Sequence, residues 1–206
     1  MVTEGATAGL GFIAEVFIQP GDEIILTPPT YPSYYNYVKR CRGKLVEVPL
    51  EEDTLTPDFN KVLAAITDKT KAIFLCNPNN PTATLIDSAF QKKLPEHVLL
   101  VVDEAYIDFV EDPNYRTMVD AIADDENLIV VRTFSKLYGM AGARMGYLMA
   151  NREIIEYLQR DSTGFCCSRM GLHAAEAALD DVEFQEMTKK GNQEGREILV
   201  SCMKEL

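Results

Sequence analysis

Continuous apolar runs that alternate with helical stretches constrain the fold of this chain more than any other feature. Three such runs, residues 70–76, 97–102 and 128–132, are rich in aliphatic residues and show no polar alternation. Strands that are buried on both faces have this composition, and they occur in parallel sheets covered by helices. The pattern therefore predicts an α/β fold with a mostly parallel central sheet and helices on both faces.

Polar clusters follow each of these three predicted strands. They are N-P-N-N-P-T-A-T at residues 77–84, D-E-A-Y at 103–106 and T-F-S-K at 133–136. In open parallel sheets, ligands bind in a crevice outside the carboxyl ends of the strands. We therefore expect these three segments, which are far apart in sequence, to converge on one site.

The remaining elements are predicted from periodicity and turn residues. A glycine-rich turn beginning at residue 4 leads into a predicted helix that ends by residue 18. A second predicted helix begins at Thr56-Pro57-Asp58, with Thr56 as N-cap and proline at the first helical position, and extends to about residue 66. The other predicted strands are 23–26, 44–48 and 145–149, and the other predicted helices are 31–42, a short one from 86, 152–160 and 170–206.

Composition narrows the class of protein. The chain has 206 residues, enough for one large α/β domain or two small ones. Its 20 basic and 32 acidic residues give a net charge of −12, which argues against nucleic acids and anionic membrane surfaces as partners. No apolar run is long enough to span a membrane. Five cysteines without a C-x-x-C pair and only two histidines argue against a metal site and favour reduced, cytosolic thiols.

The segment at residues 130–147, V-V-R-T-F-S-K-L-Y-G-M-A-G-A-R-M-G-Y, carries the most chemistry. Lys136 and Arg144 lie at the two ends of a loop of small residues between two predicted buried strands. A desolvated lysine becomes a nucleophilic amine, whereas arginine stays charged and binds phosphate through paired hydrogen bonds. The alternative is that both are solvated loop cations, but the hydroxyls of Thr133 and Ser135 in the same loop favour a site.

This segment has the form S-K-x-x-G-x-A-G-x-R-x-G and resembles the Schiff-base lysine segment of fold-type I, class I and II aminotransferases, which use pyridoxal 5'-phosphate (PLP). Further markers of the family are F-I-Q-P-G-D-E, P-T-Y-P, C-N-P-N-N-P-T and V-V-D-E-A-Y. Together they cover residues 2–181 and are most similar to the large domain of histidinol-phosphate aminotransferases. The resemblance implies a PLP-binding large domain over residues 1–180 and the start of an interdomain helix over residues 181–206.

The resemblance assigns five residues to the PLP ring. Lys136 would form the Schiff base and move protons as a general base and acid. Asp103 would pair with the ring nitrogen, and Tyr31 would stack on the ring. Asn80 and Tyr106 would hydrogen-bond the phenolic oxygen. Taken alone, Asp103 also suits a helix N-cap, Asn80 a turn and Tyr31 core packing.

The phosphate group would be bound from three directions. Backbone N–H groups of Ala6 and Thr7 lie at a predicted helix N-terminus, which favours an anion. Thr133 and Ser135 offer hydroxyls, and Arg144 supplies a charged guanidinium. Taken alone, Thr7 also suits a plain N-cap.

The resemblance also implies a reaction. It is the exchange of an amine between L-histidinol phosphate and 2-oxoglutarate, small amino- and oxo-acid substrates, by a cytoplasmic homodimer in histidine biosynthesis. Two alternatives stay open: a PLP-dependent threonine-phosphate decarboxylase with the same fold and motifs, and a catalytically inactive remnant. A dinucleotide-binding Rossmann enzyme is disfavoured because Gly5, Gly9 and Gly11 do not follow a predicted strand.

The chain departs from the family pattern in several places. Ala83 replaces the usual glycine after N-P-T, which would be strained if φ is positive there. The sequences at 6–9 and 164–167, A-T-A-G and G-F-C-C, also differ from the family. The family's N-terminal arm and C-terminal small domain have no counterpart, and with them a tyrosine that reaches the partner subunit and a substrate-binding arginine. We therefore expect a shortened chain that holds the cofactor site but little of the substrate site.

Overall fold

A seven-stranded sheet runs through the computed structural model, which describes residues 1–162, 164 and 167–205 and, for Ser88 and Ala89, the backbone alone. In chain order the strands are β1 (Val2–Thr3), β2 (Glu23–Leu26), β3 (Lys44–Glu47), β4 (Thr70–Cys76), β5 (Leu99–Asp103), β6 (Leu128–Thr133) and β7 (Gly146–Ala150). Their order across the sheet is β1-β7-β6-β5-β4-β2-β3.

The sheet is mostly parallel, as the apolar runs predict. Strands β2 to β6 pair parallel with one another, whereas β7 runs antiparallel to β6 and β1 antiparallel to β7. Strand β1 is not predicted, because two residues are too few to show a periodicity. It places Gly5 two positions after the end of a strand, contrary to the expectation from sequence, but this strand is antiparallel to its neighbour and forms no βαβ unit.

Helices cover both faces. The helices of the chain are α1 (Gly5–Phe17), α2 (Ser33–Arg40), α3 (Phe59–Ala64), α4 (Arg152–Asp161), α5 (Arg169–Asp180) and α6 (Val182–Lys204), with short 3-10 helices at Ser88–Lys93, Ile107–Phe109, Met118–Ala121 and Ala141–Ala143. Helix α6 has no buried residue and does not contribute to the covering of the sheet. Within the ranges described, we find no helix both long and apolar enough to cross a bilayer.

Several predicted bounds are corrected by the structure. The helix expected over 31–42 begins only at Ser33, so Tyr31 lies in the preceding loop. The helix expected at Thr56 is capped instead by Asp58, whose carboxylate accepts a hydrogen bond from the Asn60 N–H. The stretch 170–206 divides into two helices at Asp181, whose side chain accepts from the Phe184 N–H and so caps α6. Leu206 lies outside the described residues.

Two apolar layers, one on each face of the sheet, form most of the core, and the strands contribute side chains to both. On β4, Phe74 and Cys76 point to the face covered by α1, α2 and α4, whereas Ile73 and Leu75 point to the face covered by α3 and the 3-10 helices. Because successive strand residues point to opposite faces, only a continuously apolar strand can serve two layers. This accounts for the unbroken apolar runs in the sequence.

The register aligns the carboxyl ends of the central strands. Cys76, the last residue of β4, pairs with Asp103, the last residue of β5, and Asp103 pairs with Val131 of β6. The loops that follow β4, β5 and β6 therefore leave the sheet at one edge. Antiparallel β7 begins at that same edge and brings the end of the Lys136 loop back to it.

Candidate active site

A cavity of about 200 Å³ opens at this edge of the sheet. All ten residues predicted from the sequence line it: Ala6, Thr7, Tyr31, Asn80, Asp103, Tyr106, Thr133, Ser135, Lys136 and Arg144. Four more complete its wall: Leu10, Cys76, Ala105 and Ala141. The ten therefore share one cavity, although they span nearly 140 positions of the chain.

Asp103 forms the inner wall of the cavity. It is buried, and its two carboxylate oxygens each accept one hydrogen bond: Oδ1 from the Ala105 N–H at 3.1 Å and Oδ2 from the Tyr34 hydroxyl at 3.0 Å. Burial raises the pKa of Asp103 to about 6, although both hydrogen bonds and the charge of Lys136 act in the opposite direction. A carboxylate that is buried but aimed into a cavity is suited to bind a cationic partner there.

Tyr34 contacts the inner wall of the cavity, and the sequence reasoning missed it. It is fully buried, although it belongs to a run of four tyrosines that is typical of a helix surface. Tyr34 follows Tyr31 by three positions, and the two rings meet edge to face at 5.4 Å. No sequence signal distinguishes Tyr34 from the neighbouring tyrosines, because only the position of β5 brings Asp103 to its hydroxyl.

Lys136 and Arg144 are more exposed than the sequence pattern suggests. Both lie at the mouth of the cavity, because the loop between β6 and β7 leaves the sheet and turns its long cationic side chains outward. The Lys136 Nζ atom is 4.9 Å from the centre of the Tyr106 ring, within the range of a cation–π contact. Lys136 is therefore an exposed amine in this structure, and the nucleophilic role that the sequence predicts for it stays a prediction.

The part of the cavity next to the start of helix α1 is suited to an anion. Helix α1 begins at Gly5, so Ala6 and Thr7 lie in its first turn, where backbone N–H groups lack acceptors within the helix. The Arg144 guanidinium lies at the same end and donates to the Glu4 and Ala141 carbonyl oxygens. The helix dipole and the arginine together form a site for a phosphate-sized group.

Hydroxyls line the side of this anion site. The Thr133 hydroxyl donates to Ser135 Oγ at 2.9 Å, and the Ser135 N–H donates back to Thr133 Oγ1 at 3.1 Å. Across the cavity, Tyr31 and Thr7 bring their hydroxyl oxygens within 3.4 Å of each other. These contacts hold four polar side chains in fixed positions around the opening.

Two glycines allow the backbone segments to approach. A Cβ on Gly146 would lie 2.6 Å from the Ala6 nitrogen, so only glycine permits β7 to pass so close to the first turn of α1. A Cβ on Gly5 would lie 2.5 Å from Arg144 Nη2. Sequence reasoning identified Gly5 only as a turn and gave no role to Gly146, because close approach of backbones leaves no periodic signal.

The loop after β4 presents Asn80 to the cavity and is held together by Asn79. The buried Asn79 amide donates to the Pro29 carbonyl and to Thr82 Oγ1, and its oxygen accepts from Thr30. Ala83 has a φ of 55°, the left-handed conformation that favours glycine. Because alanine carries a Cβ, this chain has backbone strain in the loop that positions Asn80.

Glu104 supports the site from below. Although it follows Asp103 directly, it points away from the cavity and is fully buried. It accepts two hydrogen bonds from Arg132, with Nε at 3.0 Å and Nη2 at 2.8 Å, and others from the Thr117 hydroxyl and the Met118 N–H. A paired, hydrogen-bonded buried carboxylate fixes the backbone on which Asp103 and Tyr106 sit.

The donor set defines what kind of molecule the cavity can take. A carboxylate at the inner wall, an amide and a phenol on the sides, a primary amine at the mouth and an anion site at one end suit a small flat heterocycle with an anionic tail. Among the described residues, no group of three or more potential ligands is arranged to hold a metal ion. The residues at 165 and 166, part of a departure from the family pattern, lie outside the described residues.

Comparison with known proteins identifies the class. The sequence profile of the family described as aminotransferase class I and II matches residues 1–206. A histidinol-phosphate aminotransferase from Caldicellulosiruptor saccharolyticus is 38% identical over 198 residues, which is 94% of this chain and 55% of the relative. This chain therefore belongs to the class I and II aminotransferase family.

Solved structures agree on the fold. The histidinol-phosphate aminotransferase from Sinorhizobium meliloti in complex with pyridoxal-5'-phosphate superposes with a TM-score of 0.84 at 32% identity, over 91% of this chain and 52% of that one. The L-threonine-O-3-phosphate decarboxylase from Porphyromonas gingivalis gives 0.74 at 26% identity, over 90% and 57%. The predicted fold class is confirmed. The chain spans about half the length of the curated relatives it matches.

Proposed function

We propose that this chain binds pyridoxal 5'-phosphate in the cavity at the carboxyl edge of its sheet and acts as the cofactor-binding part of a transaminase. The observation that carries the proposal is the presence of Lys136, Asp103 and Arg144 in one cavity. An amine, an acid for a heterocyclic nitrogen and a cation for a phosphate are the three charged groups that this cofactor requires from a protein.

The residues present fit the cofactor. Asp103 would hold the ring nitrogen and Arg144 the phosphate, together with the first-turn N–H groups of Ala6 and Thr7. Thr133 and Ser135 would add hydroxyls to the phosphate. Asn80 and Tyr106 would face the phenolic oxygen, and Tyr31 would cover the ring. Gly146 supports this assignment independently, because any larger residue would displace the helix start that forms the anion site.

The chemistry divides between cofactor and protein. When bound, PLP supplies an electrophilic aldehyde carbon and a ring that withdraws electrons. Lys136 Nζ is the amine that would hold the cofactor covalently, and it is also the base that would take and return a proton at the substrate carbon. Asp103, kept ionised, would hold a proton on the ring nitrogen.

For the substrate, we propose L-histidinol phosphate as amine donor and 2-oxoglutarate as acceptor. The 38% identity to a histidinol-phosphate aminotransferase supports this choice of substrate. The higher TM-score to the aminotransferase than to the decarboxylase supports transamination over decarboxylation. We further propose a cytoplasmic homodimer in which residues 1–180 form the PLP-binding unit and residues 181–206 begin a helix toward a second domain.

Decarboxylation of threonine phosphate is the second candidate. It is favoured by one observation, the shared fold with the L-threonine-O-3-phosphate decarboxylase from Porphyromonas gingivalis. An inactive remnant is the third reading. The strained Ala83 is the feature within this chain that supports it.

Cofactor binding tests the proposal first. Adding PLP should produce the visible absorbance of lysine-bound PLP, and Lys136→Ala should abolish that absorbance. Lys92→Ala is the matched control, because Lys92 is exposed and does not line the cavity. A wild-type protein that stays colourless with excess PLP would exclude both enzyme candidates and favour the remnant.

Product analysis separates the two enzymes. Incubation with L-histidinol phosphate and 2-oxoglutarate should form glutamate, whereas L-threonine phosphate should release no carbon dioxide. Carbon dioxide release without glutamate would overturn the transaminase in favour of the decarboxylase.

A further inference from the structure

A single buried hydroxyl contacts the inner carboxylate of the cavity. The Tyr34 hydroxyl, on α2, donates to Asp103 Oδ2 at 3.0 Å, and neither side chain is accessible on the protein surface. We propose that Tyr34 is a positioning residue, which orients Asp103 and holds it ionised toward the ring nitrogen of the cofactor. This inference rests on the proposed function, since it assigns Asp103 to that nitrogen.

The position of the Tyr34 hydroxyl is fixed by the core. Its ring is fully buried between Phe74 of β4, at a centroid distance of 5.6 Å, and Tyr31, at 5.4 Å. The phenol therefore has no freedom to follow a moving partner. The carboxylate must instead adapt to the phenol.

The carboxylate of Asp103 is held at both oxygens. Ala105 donates its N–H to Oδ1 while Tyr34 donates to Oδ2, so the plane of the carboxylate is set by one backbone and one side-chain donor. Each oxygen keeps further lone pairs for a partner in the cavity. Without Tyr34, only the Ala105 contact would fix this orientation, and the side chain could rotate.

The hydrogen bond from Tyr34 also affects the ionisation of the Asp103 carboxyl group. Burial raises the pKa of Asp103 to about 6, and the hydrogen bond from Tyr34 is the strongest influence that lowers it. The other titratable groups that interact with the carboxylate are Lys136 from the loop after β6, Glu104 beside it, Cys76 of β4 and Tyr37 of α2. Burial raises the pKa of the Cys76 thiol to about 12, and it raises the pKa of Tyr34 itself, so both stay protonated and Tyr34 remains a donor.

Tyr34→Phe tests the proposal because it removes the hydroxyl and keeps the buried ring. PLP affinity should fall about tenfold, the size expected for losing a hydrogen bond to a charged group. The decisive comparison uses 1-deaza-PLP, in which carbon replaces the ring nitrogen. Its affinity should be unchanged by Tyr34→Phe, because Tyr34 acts only through Asp103 on that nitrogen.

Tyr35→Phe is the matched control. Tyr35 is on the same helix, but its hydroxyl donates to Glu47 outside the cavity, so this variant should bind both compounds like the wild type. Equal losses for PLP and the deaza compound in Tyr34→Phe would show a merely structural role and overturn the proposal. In an Asp103→Asn background, adding Tyr34→Phe should cost no further PLP affinity; a full additional tenfold loss would also overturn it.

A measurement without cofactor separates this proposal from the proposed function. Titration of the Asp103 carboxyl carbon by NMR should give a higher pKa in Tyr34→Phe than in the wild type, and an unchanged pKa would overturn the inference whatever PLP does. If the wild type binds PLP and Tyr34→Phe binds it equally well, the inference fails while the proposed function stands. If the wild type forms no lysine-bound PLP, the proposed function fails, and the cofactor role of Tyr34 fails with it.

Discussion

Gly5 and Arg144 lie so close together that a Cβ on Gly5 would come within 2.5 Å of the Arg144 Nη2 atom. Gly5 begins the first helix, whereas Arg144 lies just before β7, the last strand in the chain. The two residues meet because β7 passes beside the first turn of α1. Gly5 also has a φ of 83°, which a side chain rarely adopts. The arginine can therefore reach the start of the helix only where no side chain stands.

Gly5→Ala should weaken PLP binding by about tenfold, because the new methyl group displaces the guanidinium from the anion site. The flexible arginine can move away, so the stability cost should be only that of the positive φ, about 1 kcal/mol. Gly21→Ala is the control, with a φ of 96° and no atom within 4 Å of the added carbon. Urea unfolding and PLP titration of both variants should show similar destabilisation but a binding loss in Gly5→Ala alone; equal affinities would contradict the role of the contact.

Ala83→Gly should stabilise the protein by about 0.5–1 kcal/mol. At a φ of 55° the Cβ of alanine causes steric strain in the folded state. The free-energy cost of this strain exceeds the cost of the additional conformational entropy that glycine loses on folding. Ala174→Gly is the control, because Ala174 is exposed in the middle of α5 and the change should destabilise by a similar amount. Urea unfolding midpoints check both. Destabilisation by both variants would mean that the turn does not carry the strain described.

Asp103→Asn should change how stability depends on pH in the cofactor-free protein. The folded pKa of Asp103, about 6, is above its unfolded value near 4, so the folded state favours the protonated acid. The stability that this gives the wild type is present at low pH and lost as pH rises through 6. Relative to the variant, the free energy of unfolding of the wild type should fall by roughly 3 kcal/mol over the whole titration of Asp103. About 1 kcal/mol of this decrease should occur between pH 5 and pH 8.

Urea unfolding of both proteins at these two pH values measures that difference directly. Since all other titrating groups are shared, they cancel in the comparison. A stability difference that does not vary with pH would show that Asp103 titrates normally. In that case the inner wall of the cavity would not be the low-dielectric site described above.

The sequence predicts the sheet and the cavity well because both depend on local patterns. Buried parallel strands need unbroken apolar runs, and the loops that follow them meet at one edge by topology alone. Those two facts, with the family motifs, bring Asp103, Lys136 and Arg144 together without any knowledge of contacts. The roles assigned to these residues stay predictions until cofactor binding is measured.

What the sequence could not predict depends on tertiary packing. Tyr34 is chemically indistinguishable from its neighbours Tyr31, Tyr35 and Tyr37, and only the position of β5 selects it to contact Asp103. The role of Gly146 arises from the passage of β7 beside α1, which no periodicity encodes. The exposure of Lys136 likewise depends on how the loop between β6 and β7 leaves the sheet, which the sequence motif does not encode.

The most direct test of the central claim is the identity of the amine that PLP modifies. Wild-type protein is incubated with PLP, reduced with borohydride, digested and mapped by mass spectrometry. We expect the phosphopyridoxyl group on Lys136 in near-stoichiometric yield, and on no other lysine to a comparable extent. Label spread over exposed lysines such as Lys92, with Lys136 unmodified, would contradict the account.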